Sequence, residues 1–205
     1  MTFASLTINH RHTLFCHILG VKRTSKHLFK LAFKTSIDVQ LARIALQDAS
    51  AKVHNKRAQF LLDEGADVNP HGKYYSKAFC SASFRGHVEI AQMLLDKGAD
   101  VNLQTGEDSN ALYSASLRGH VEIVQLLLGK GAIVKARSGG HYGTALCGAS
   151  AGGYIEIVQL LLDHGANVKQ GGYFFGNALD QANALDHATR EGHTQIVQLL
   201  RVSGA

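Results

Sequence analysis

The 205-residue chain is 45% hydrophobic and 18% charged, enough apolar material for a core, yet no apolar run approaches the roughly 20 residues needed to span a bilayer. Its net charge of +5 is uneven: residues 1–44 hold seven Lys/Arg and one acid (+6), and residues 45–205 hold 14 and 15 (−1). Most of the chain therefore has no bulk field to attract a phosphate backbone, and nucleic-acid binding is not expected. Three cysteines, at positions 16, 80 and 147, have neither an even count nor metal-ligand spacing, which argues against a disulfide framework.

In chain order, residues 1–44 read as a basic segment, partly disordered. Its start could mimic a mitochondrial presequence, but His10, His12, His17 and His27 crowd it and its apolar residues keep no clean helical face, so import is not expected. Residues 13–21 are too short and too polar for a secretory core. The expected compartment is the cytoplasm, with the nucleus also open. Residues 29–40 align without gaps to residues 124–135, which points to a degenerate half-repeat over about 27–40 that caps this end.

From residue 45 onward the chain is periodic. Gly-His-Val-Glu-Ile stands at 86–90 and again at 119–123, 33 residues apart. A Gly-Ala pair recurs at Gly65, Gly98, Gly131, Gly165 and Gly204, and Ala-x-x-x-Ala-Ser/Thr at Ala45, Ala78, Ala111, Ala145 and Ala184. Both series step by 33, 33, 34 and 39. Such a period marks one supersecondary unit stacked on copies of itself. Five units are predicted, with helix pairs over about 45–65, 78–98, 111–131, 145–165 and 184–203.

Each unit reads as two short helices and an extended tip. In the third, Asn110 is the predicted N-cap of a helix of small residues, Gly119 turns the chain, and residues 121–128 carry a broad apolar face that Gly131 ends in a left-handed conformation. In the last unit, Asn-Ala-Leu-Asp at 177–180 is repeated at 183–186, part of a six-residue duplication that accounts for the step of 39. Six residues turn a helix through about 600°, so only one copy can keep the packing register, and the second is expected to do so. Arg201 replaces the leucines of earlier units, as suits a terminal repeat that nothing covers.

These residues resemble the ankyrin repeat, whose pattern is a turn, Thr-Pro-Leu-His-x-Ala-Ala, Gly-His, a Leu-rich helix and Gly-Ala-Asp-Val-Asn. The last of these stands intact at 65–69 and 98–102. At the family's Pro and His positions this chain has Ala78 and Cys80, Ala111 and Tyr113, Ala145 and Cys147. Its own Asn-Ala-Leu-x-x-Ala-Ser looks like a subtype common in large filamentous-fungal proteins, where such arrays follow nucleotide-binding oligomerisation domains. The resemblance implies an all-α solenoid of stacked helix–turn–helix units with exposed hairpin-like tips, somewhat softer than a consensus array. It also implies that His87, His120 and His193 start second helices and bond nearby backbone, with Tyr154 as the one replacement.

No catalytic constellation is evident. His141, His164 and His187 lie in different parts of the unit, no phosphate loop is present, and no Ser/His/Asp or Cys/His set is forced together. Cys80 and Cys147 occupy equivalent positions two units apart, about 20 Å, which forbids a disulfide between them; both read as small buried fillers. No enzyme activity, metal or cofactor is expected.

Ankyrin relatives bind partners through tips and first-helix ends. Carried onto this chain, those positions give Phe84, Arg85, Leu117, Arg118 and Arg190, together with the tip residues Tyr74, Tyr75, His141, Tyr142, Tyr173, Phe174 and Phe175. Arg85 and Arg118 fall in one column with Phe84 and Leu117 beside them, a mixture of Arg and apolar surface that suits an interface. The expected function is a monomeric, non-catalytic scaffold for a protein partner. The alternatives are a targeting subunit of an enzyme, such as a ligase substrate adaptor, or a fragment of a larger nucleotide-binding receptor.

Overall fold

A computed structural model of the chain describes residues 36–69, 77–104, 110–138, 143–171 and 183–204. Among these residues there are ten helices and no strand. They pair as α1 (Ser36–Ala51) with α2 (Asn55–Asp63), α3 (Lys77–Arg85) with α4 (Val88–Asp96), and α5 (Ala111–Arg118) with α6 (Val121–Gly129). The last two pairs are α7 (Ala145–Gly152) with α8 (Ile155–Asp163) and α9 (Ala184–Arg190) with α10 (Thr194–Val202). Each pair packs on the next, giving an all-α repeat solenoid.

Local chemistry sets the helix ends. The Asn110 side chain accepts from the Tyr113 N–H at 2.8 Å, and Thr144 accepts from the Cys147 N–H at 3.1 Å, so each caps a first helix. Second helices end in the Gly-Ala pairs. The Gly131 N–H donates to the Leu128 carbonyl and the Ala132 N–H to the Leu127 carbonyl, both at 3.0 Å. That is a Schellman closure, and it needs the left-handed φ of +84° at Gly131.

The core follows the period. Ile90 and Leu94, Ile123 and Leu127, Ile157 and Leu161, and Ile196 and Leu200 are pairs four residues apart on second helices, all essentially buried. First helices pack through Ala49, Ala82, Ala115, Ala149 and Ala188, each fully buried. These small residues let neighbouring first helices approach more closely than neighbouring second helices do. The stack therefore bends toward its first-helix side, which is concave.

The N-terminal end differs from the sequence-based expectation. Residues 27–35 of the half-repeat lie outside the described residues. Residues 36–40, which the alignment sets opposite a helix end and tip, instead begin α1, a 16-residue helix against seven to nine in the others. At the other end α9 starts at Ala184 behind Asn183, which forms a capping box with Asp186. The second copy of the duplication thus carries the helix, and the first copy, 177–182, lies outside the described residues.

Candidate functional site

The concave side is built by the last turns of the first helices and the residues that follow them. In units two to five the turn reverses through a glycine; at Gly119, φ is +77°, a left-handed conformation that caps α5. This glycine also leaves room for the next unit, because a Cβ on it would run into the ring of Tyr154. Gly86 stands in the same relation to His120, and Gly153 to His193.

The rings seated there join one unit to its predecessor. His87 Nε2 lies 3.3 Å from the Ala51 carbonyl oxygen, His120 Nε2 3.0 Å from that of Phe84, and His193 Nε2 3.1 Å from that of Ala151. As the Nε2–H tautomer each ring donates to a carbonyl at the end of the preceding first helix, one of the acceptors a helix leaves unmatched. The sequence separations are 36, 36 and 42, so the six duplicated residues are accommodated without breaking this link. These histidines are structural.

Phe84 and Leu117 are half-buried, whereas Arg85 and Arg118 are exposed. The Arg118 guanidinium lies over the Phe84 ring of the preceding unit, 4.1 Å from its centroid, within cation–π range. The predicted column is thus interleaved: one unit's arginine covers the previous unit's aromatic. Among the described residues neither Arg85 nor Arg118 has an ion-pair partner. Arg190 is exposed at the end of α9, in the register of Phe84 and Leu117 rather than of the arginines. Tyr74, Tyr75, His141, Tyr142, Tyr173, Phe174 and Phe175 lie outside the described residues.

One position was missed in the sequence. Val53-His54 occupies the Gly-His register in the first unit, which places Lys52 in line with Arg85 and Arg118; Lys52 pairs with Asp48 at 2.7 Å. Tyr154, expected in place of the histidine, has its ring set between Gly119 and Gly152. On the tips, the Asn69 amide donates to the Gly98 carbonyl and accepts from the Asp100 N–H, both at 2.7 Å. Asn102 repeats the arrangement with Gly131 and Ile133. The intact Gly-Ala-Asp-Val-Asn copies are the signal that could have revealed these clamps.

Burial pushes the thiols of Cys80 and Cys147 from 9.0 up to about 12 and about 11. Both are free and stay protonated, with little nucleophilic character. Among the described residues no group of three His, Cys, Asp or Glu side chains could hold a metal ion. No described helix is long and apolar enough to cross a membrane.

No curated protein matches the chain. A family model described as three copies of the ankyrin repeat matches four overlapping windows, at residues 18–105, 46–138, 79–171 and 112–205. The last three windows begin 33 residues apart, in step with the helix pairs, the glycine turns and the ring-to-carbonyl links between units. The chain belongs to the ankyrin repeat family.

Proposed function

We propose that this protein is a non-catalytic scaffold that grips one protein partner on its concave side, through the first-helix ends of units two and three and the neighbouring tips. One observation carries the reading: Arg85 and Arg118 are exposed beside half-buried Phe84 and Leu117, and among the described residues no acid is paired to either arginine. Arginine and aromatic side chains are the residue types that dominate binding energy at interfaces. The tip aromatics Tyr74, Tyr75, Tyr142, Tyr173, Phe174 and Phe175, with His141 and Arg190, extend the same edge in this reading. The chain works as a monomer in the cytoplasm, where protonated buried thiols persist. The Asn-Ala-Leu helix start is read as the filamentous-fungal variant of the repeat.

The test uses ligands selected from a displayed peptide library on the full chain. Arg85→Glu with Arg118→Glu should weaken the selected ligands by about tenfold or more, with circular dichroism unchanged. The control pair Glu122→Arg with Glu156→Arg, exposed on second helices, should leave binding within about twofold. Loss on the control pair alone would place the contacts on the convex side, as in an enzyme-targeting subunit.

A further inference from the structure

The near-neutral charge of residues 45–205 hides a division between the two helix rows. In the three central units the first helices, 77–85, 111–118 and 145–152, hold Lys77, Arg85 and Arg118 and no acid. The second helices, 88–96, 121–129 and 155–163, hold Glu89, Asp96, Glu122, Glu156 and Asp163 and no Lys or Arg. The acids stand on the second-helix row, and several are already engaged. Glu89 accepts from Asn55, Asp96 from Gln92 and Asp163 from Gln159.

Among the described residues Arg85 and Arg118 of the concave row have no such partner, whereas Lys52 is paired with Asp48. Reading one position per unit gives Lys52, Arg85, Arg118, Gly152 and Glu191. Three cations stand at one end of the column and an acid at the other. Helix C-termini tolerate Arg85 and Arg118 without an acid, because the unmatched carbonyls there carry partial negative charge. That leaves both guanidinium groups able to take an external carboxylate, with Phe84 and Leu117 alongside to take an apolar side chain.

We infer that the concave row binds an acidic peptide segment carrying Asp or Glu beside an apolar residue, lying across units two and three with its acidic part kept away from Glu191. This rests on the concave-face reading above and adds the chemistry of the partner. Charge complementarity selects the occupant. A nucleic acid is disfavoured because, among the described residues, Arg85 and Arg118 are the two uncompensated cations read along the row, and Glu191 ends it.

The experiment selects peptides from a random displayed library on the full wild-type chain and on the Arg85→Glu, Arg118→Glu variant, then measures binding by fluorescence anisotropy. Wild type should enrich Asp/Glu-rich peptides with an apolar residue, and the variant should enrich Lys/Arg-rich ones. Changing the acids of a selected peptide to Asn and Gln should weaken it about tenfold or more on wild type, and raising salt from about 50 mM to about 500 mM should weaken it similarly. A milder Arg85→Gln, Arg118→Gln variant should also lose the acidic peptides, excluding an effect of misplaced negative charge. Peptides that are lost on the variant but are not acid-rich would overturn this inference and leave the concave-face reading standing. Peptides that bind both proteins equally, or no enrichment at all, would overturn both. A thymidine oligonucleotide that displaces the selected peptides at lower concentration than their own unlabelled form would reassign the row to phosphate binding and overturn the inference.

Discussion

The ring of Tyr154 fills the space that any side chain on Gly152 would need: a Cβ built on Gly152 falls against one edge of the ring, and a Cβ on Gly119 against the other. Units two and three have Arg85 and Arg118 at the position of Gly152, and His87 and His120 at that of Tyr154. The fourth unit has changed both. A larger ring in the seat has gone with loss of the side chain beside it.

Gly152→Arg, which restores the residue of the other units, should therefore destabilise the protein by about 1–3 kcal/mol through overpacking. Adding Tyr154→His should recover most of that loss, since the smaller ring leaves the space open. Urea melts of the two single variants and the double variant check this. Equal stability of Gly152→Arg and the parent, or no rescue, would show that the two positions are not coupled.

Val53 has φ of +57°, the one left-handed residue other than glycine among the described residues. It sits in the register of Gly86 and Gly119, and a β-branched residue is strained there by about 1–2 kcal/mol. Val53 is 54% exposed, so little packing is lost on removing it. Val53→Gly should stabilise the first unit by about 1 kcal/mol after the backbone entropy of glycine is counted, seen as a higher denaturation midpoint. Destabilisation would mean that its side chain packs more than its exposure indicates.

Ser50, Ser83, Ser116 and Ser150 follow the second alanine of their first helices and are fully buried, each hydroxyl without a hydrogen-bond partner. Thr189, at the same position in the last unit, is exposed and donates to the Leu185 carbonyl at 2.7 Å. A buried unpaired hydroxyl costs about 1–3 kcal/mol. Ser116→Ala and Ser150→Ala should each raise stability by about 1 kcal/mol, measured by thermal melts. A fall in stability on either change would indicate that the hydroxyl is satisfied in solution.

His187 is 3% exposed on α9, and its pKa is held below the ordinary 6.5, first by desolvation and then by the charge of Arg190. The folded state thus favours the neutral ring. Stability from this group is present above pH 6.5 and lost as pH falls below it, because the unfolded chain then binds the proton more readily. Between pH 7 and pH 5 the wild type should lose more stability than His187→Gln, with hydrogen exchange in α9 and α10 rising first. Parallel losses in the two proteins would contradict this.

The legible parts of the fold were those where backbone geometry forces the residue. The Gly-Ala pairs mark Schellman closures, and Asn110 and Asn183 mark caps, so helix ends could be read from residue type alone. Val53 hid the first turn because a β-branched residue stands where the conformation calls for glycine, and Lys52 went unnoticed with it. The start of α1 at Ser36 was masked by an alignment to a second-helix end. Of the site, Arg85 and Arg118 could be placed in one register, yet the position of Arg118 over Phe84 and of Tyr154 against Gly119 depends on neighbours 34 and 35 residues away, which periodicity does not display. Charge was similarly obscured: summed over residues 45–205 it nearly cancels, and only assignment to helix rows separates the signs.

The most direct test of the concave-face account is site-specific photo-cross-linking with a peptide selected on the full chain. A photoreactive residue at Leu117, between Arg85 and Arg118 on the first-helix side, should capture the peptide, while the same residue at Glu122 on the second helix should not. Capture at Glu122 with none at Leu117 would contradict the account.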